Sequence, residues 1–199
     1  SGAVKVDLQG MHVYPSFIES YSSFGVPKVE SGERKPGPQS ESNRKGAFGW
    51  NQAMKPEINA FDVYTYDEKA AANYLKAGFG ALFTHQEDGI ARGTGAVVSL
   101  NPNDNLAFLQ PTAAKVFSFQ KGTSRQDYPS SLMGCIALLR QTAYDAAWYD
   151  ANGNKLETNL SLAAWNANAK LPQIFVTRDK LDVLRADLIG DEFTYQSVF

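Results

Sequence analysis

The sequence predicts an α/β fold built on a parallel sheet, and three stretches carry that prediction. Residues 67–76 repeat apolar side chains at helical spacing (Ala70, Ala71, Tyr74, Leu75), Gly78 stops them, and 79–84 reads as a buried strand. After Pro172, the β-branched and aromatic run 173–177 leads into a helix from Arg178-Asp179-Lys180 through Asp187, ended by Gly190, with a last strand over 193–199. Residues 17–22 restart an apolar run after Pro15, which has no N–H to give to a ladder, and end in small polar residues before Gly25. A strand that opens this way at its carboxyl end marks the edge where α/β proteins keep their chemistry. Strand, helix, strand with short joins argues right-handed crossovers between parallel strands.

The remaining elements follow in order. Residues 27–47 carry Pro27, Gly32, Pro36, Gly37, Pro38 and Gly46 among charged and small polar residues, and are expected to form a long mobile loop. Residues 50–63 read as irregular, anchored by Ile58 and Phe61. Residues 89–100 are a glycine turn leading into a strand. Gly93-x-Gly95 is no phosphate loop, since no helix follows and no Lys-Ser/Thr sits in place. Two further apolar segments lie at 106–109 and 114–119. Ser130 or Ser131 caps a helix over 132–150 with the stripe Ile136, Leu139, Ala143, Ala146 and Ala147. Asn152-Gly153-Asn154 makes a turn, and 156–169 reads as a second helix.

Composition sets bounds on function. The chain has 199 residues, 43% hydrophobic and 20% charged, as a soluble globular protein has. Its net charge of −2 lacks the basic face that nucleic acid binding needs. No apolar run approaches the roughly 20 residues of a membrane span. Cys135 stands alone, which excludes an intrachain disulfide and a cysteine-based zinc cluster. The sequence opens on Ser1-Gly2 without an initiator Met or signal peptide, so the chain is expected to be a fragment and its compartment stays unread.

Residues 10–19, Gly-Met-His-Val-Tyr-Pro-Ser-Phe-Ile-Glu, resemble the lead-in to the first barrel strand of the amidohydrolase superfamily, Gly-Lys-His-Val-x-Pro-Gly-Phe-Ile-Asp, which runs into a metal-binding His-x-His. Three other segments resemble the same superfamily. Residues 76–80 match its Ala-Gly-Val-Thr segment, 89–100 its imidazolonepropionase-related Gly-Gly-x-Gly-Ala-Val segment, and 129–140 its Pro-x-Thr-Arg-Met-Gly…Leu-Arg segment. The resemblance implies the first half of a (β/α) TIM-type barrel, residues 16–199, preceded by the end of a flanking β-sandwich at 1–15. Its four strands would lie near 17–22, 79–84, 173–177 and 193–199. In the family a zinc or other divalent metal activates water for hydrolysis of C–N bonds.

The two family histidines fall on Tyr21 and Ser23, and a phenol and a hydroxyl do not replace two imidazoles at a catalytic zinc. The next family site falls on Val176 and Arg178, and the last on Tyr195, Gln196 and Ser197. The expectation is therefore a chain with no metal, no other cofactor and no catalytic residue: a pseudoenzyme half or module, paired with a second barrel half or another copy of itself. The alternative is part of an active enzyme whose ligands lie in strands outside this chain. His85, Glu87 and Arg178 are the pocket candidates, His85 because it ends a strand at the face where barrel sites lie. His12 precedes the first strand and reads as a surface residue. No Gly-x-Ser-x-Gly elbow supports a serine triad, Cys135 reads as a buried small residue, and the adjacent Glu87 and Asp88 cannot flank a substrate.

Overall fold

A computed structural model of the chain describes residues 2, 4–31, 42, 44–101, 107–195 and 197–198. Most of the expected mobile loop, 32–41 and 43, lies outside the described residues, as do Leu106, Gln196 and Phe199. Six strands form one sheet in chain order: β1 (Phe17–Ser22), β2 (Phe79–Thr84), β3 (Ala91–Ser99), β4 (Phe108–Ser118), β5 (Gln173–Val176) and β6 (Ser197–Val198). The helices are α1 (Ala60–Val63), α2 (Glu68–Lys76), α3 (Leu132–Ala151), α4 (Leu160–Ala167) and α5 (Lys180–Phe193). The whole is a mixed α/β fold whose sheet curls as half a barrel.

The sheet is not wholly parallel, as the crossover argument had it. β1 with β2, β4 with β5 and β5 with β6 run parallel, but β3 is antiparallel to both β2 and β4. The reason lies at Gly89–Gly95, where the chain enters β3 directly from the end of β2 with no helix to carry it back. The two apolar segments expected at 106–109 and 114–119 are one strand, and Pro111 sits inside it near its less ordered pairing. The segment Val4-Lys5-Val6-Asp7-Leu8, expected as an edge strand, has no regular structure and is exposed, because no strand among the described residues lies beside it to pair with.

Two helix ends also differ from expectation. Gly190 does not stop α5. It is buried where a Cβ would press on the Ser197 hydroxyl, so the helix continues to Phe193 and ends at Thr194 in a left-handed conformation. Among the described residues the last strand is Ser197–Val198 and begins after this helix end rather than at 193. The helix expected at 156–169 is shorter, because Asn159 caps it through Leu162 N and a single 3-10 turn occupies Gly153–Lys155.

The helices cover one face of the sheet. On the outer face Phe117, Phe119 and Phe175 pack against Leu138, Leu139 and Ala143 of α3, Trp165 of α4 and Ile189 of α5. Leu82, Val98 and Leu100 pack beside Phe24 and against Ala71 of α2. The alternate residues Phe83, Ala114 and Val116 share the inner face with the half-buried Val97, Ile174 and Val176.

Candidate functional site

The carboxyl ends of β1 and β2 lie side by side because these strands are parallel, with Ser22 opposite Thr84. Their backbones are tied beyond the ladder. The His85 N–H donates to the Ser22 carbonyl (3.0 Å), the Ser22 hydroxyl to the Phe83 carbonyl (2.9 Å) and the Thr84 hydroxyl to the Phe24 carbonyl (2.7 Å). This sets the Tyr21 ring edge-on to the imidazole of His85, centroids 5.0 Å apart. Phe83, two residues earlier on the same face, stacks with the imidazole at 5.8 Å.

A third residue completes the cluster, and pattern reading missed it. Ala91 pairs with Phe117 and Thr94 with Lys115, so β3 carries one residue more than β4 over this interval. That is a β-bulge, and it shifts the in-out alternation by one. Arg92 thereby reaches the inner face, where its Nη1 lies 3.5 Å from both the Tyr21 hydroxyl and His85 Nε2. Its Nε–H donates to the Gly89 carbonyl (3.2 Å). Gly93 makes the bulge possible: its φ is +81°, and a Cβ there would run into the Ile58 carbonyl of the segment lying along β3. The one signal in the sequence was an arginine set between glycines in an otherwise apolar run.

The electrostatics follow from burial. His85 has no exposed surface, and desolvation, aided by the Arg92 charge and opposed by the hydrogen bond at Ser22, lowers its pKa from 6.5 to about 4. The imidazole is neutral at neutral pH. Arginine only donates, so Nε2 is the acceptor and the proton sits on the buried Nδ1.

The other acids and bases of the loop are engaged elsewhere. Asp88 is 3% exposed, ion-paired with Lys55, and accepts from the Thr123 N–H (2.6 Å) and hydroxyl (2.9 Å). Its role is to fasten the 85–90 loop to residues 121–123. Glu87 is exposed on the same loop. Arg178 follows β5 and turns back to Asp182 on α5 (3.3 Å). Ser23 lines a different cleft, with Gly25, Val26, Tyr66 and Tyr74 on the α2 side of the sheet. Of the residues singled out from sequence, the fold brings together Tyr21 and His85. His12 is exposed beside Tyr14, and Cys135 is buried with its thiol donating to the Phe119 carbonyl (3.3 Å) and pushed up in pKa by desolvation.

As a metal site this donor set does not fit. It offers one imidazole and one phenol, and the third group is itself a cation, which a divalent ion would meet at like charge. Among the described residues no three His, Cys, Asp or Glu side chains gather as ligands.

The fold is similar to that of half of a solved amidohydrolase. A solved structure that it resembles is an amidohydrolase from Thermotoga maritima MSB8, with a TM-score of 0.68 and 18% identity over 99% of this chain. The chain spans about half of that protein, 55% of its length. No protein-family model matches the sequence, and no curated protein matches it. No helix among the described residues is long and apolar enough to cross a membrane.

Proposed function

We propose that this chain is the first half of an amidohydrolase-type barrel that has given up metal-dependent hydrolysis and works as a binding module. The observation that carries the reading is the place of Arg92, whose guanidinium stands between Tyr21, at a ligand position of the resembled family, and His85, the imidazole nearest to it. A fixed positive charge there supplies what the family takes from zinc, without the open coordination position that activates water. The structural likeness supports the barrel type, and the resemblance of residues 10–19 supports the assignment of Tyr21 and Ser23 to the lost histidines. The imidazolonepropionase-related branch is part of the proposal on the strength of residues 89–100.

The module is proposed to act together with a second barrel half or a further copy of itself. Phe17 and Ile18 of β1, an edge strand among the described residues, and Tyr14 before it support this, since they are 67%, 67% and 79% exposed. The deciding experiment is metal content. Protein expressed with zinc and dialysed against a weak chelator is expected to retain well under one zinc per chain by elemental analysis. Retention of one tightly held zinc per chain overturns the reading and favours a working hydrolase.

A further inference from the structure

We infer that Arg92 is the anchor of a carboxylate-binding site at the carboxyl ends of β1 and β2. The inference rests on the reading that no metal lies between Tyr21 and His85; zinc content tests that reading alone, and the titration below tests the anion.

Arg92 is 6% exposed, and a buried cation is costly unless an anion faces it. Among the described residues Arg44 pairs with Glu57, Lys55 with Asp88, Arg140 with Glu192, and Arg178 and Arg185 with Asp182. None involves Arg92. Its partners are a carbonyl, a phenol and an imidazole, all uncharged, and the two on Nη1 stand at 3.5 Å, the long limit of a hydrogen bond. The acid nearest in sequence, Asp88, is fully engaged by Lys55 and Thr123. The guanidinium is therefore a five-donor fork held in place without its complement.

The position is built rather than incidental. The bulge and the left-handed Gly93 turn Arg92 inward, and the Gly89 carbonyl fixes its Nε. Tyr21 is 43% exposed, so the phenol side of the cluster is open to an incoming group. The same face carries half-buried Val97, Ile174 and Val176. With a single free cation at the cluster, the matching ligand is a monoanionic carboxylate with a short apolar body rather than a phosphate dianion. That carboxylate belongs either to a small organic acid or to an Asp or Glu side chain of another copy of this chain.

Butyrate and its neutral isostere butyramide separate these cases at matched ionic strength, with thermal shift and calorimetry as readouts and light scattering for association. Saturable stabilisation by butyrate, absent with butyramide and abolished in Arg92→Gln, establishes the small-acid site. No response to butyrate, together with self-association that Arg92→Gln abolishes, places the carboxylate on a second copy and supports the same chemistry. Equal response to both compounds, or neither binding nor Arg92-dependent association, overturns the inference. Arg92→Lys guards against a variant that does not fold: it keeps the charge and loses the planar fork, so butyrate affinity or association is expected to weaken about tenfold.

Discussion

A buried imidazole that faces a guanidinium holds its proton poorly, and His85 is placed in both ways. Its pKa is about 4 in the fold against 6.5 in an unfolded chain, so between these values the unfolded state binds more protons. Stability therefore rises with pH across that window and is lost as pH falls from 6.5 towards 4. The loss is of order 3 kcal/mol at the lower end. Replacing the imidazole by an isosteric amide removes the titration, so His85→Gln is expected to flatten the urea-midpoint profile between pH 4 and 6.5. An unchanged slope would place the acid sensitivity elsewhere.

At the scale of the element, the bulge at the start of β3 is the feature on which the cluster depends. Without the extra residue, the alternation would put Arg92 on the outer face and leave Tyr21 and His85 facing one another alone. Gly93→Ala sets a side chain against the Ile58 carbonyl at a φ that L residues avoid. The expected cost is about 2 kcal/mol, read as a lower denaturation midpoint. Because the strain falls beside Arg92, His85 should also regain a higher pKa as the guanidinium withdraws, which NMR titration of the imidazole would reveal. A variant of full stability would mean that the bulge is not constrained by Gly93. These features also mark where sequence reading stops. β1, β2 and α2 were legible because their apolar periods and the stop at Gly78 are local. The meeting of Tyr21 with His85 follows once β1 and β2 are parallel. Arg92 was not legible, since a bulge breaks the very period that assigns side chains to faces. The β3–β4 pair was hidden for a related reason: Gly93 and Gly95 read as a turn, though Gly95 lies within the strand because the Phe83 ring covers it. β4 was read as two segments because its apolar residues at 106–109 and 114–119 are separated by polar ones and Pro111.

For the whole molecule, the half-barrel places helices on one face and leaves the inner face lined by Phe83, Ala114 and Val116, with the Tyr21–His85–Arg92 cluster at its carboxyl rim. The fold was readable in outline because residues 10–19 and the strand–helix alternation are dense in signal, whereas the direction of β3 depends on a connection too short to announce itself. We propose that a guanidinium, and no metal ion, stands between Tyr21 and His85 at this rim. Anomalous diffraction at the zinc edge, from crystals grown with millimolar zinc, tests it most directly. The account predicts density for the Arg92 side chain between Tyr21 and His85, with no anomalous peak against His85 Nε2. A zinc peak bonded to that nitrogen, with Arg92 turned out of the cluster, would contradict it.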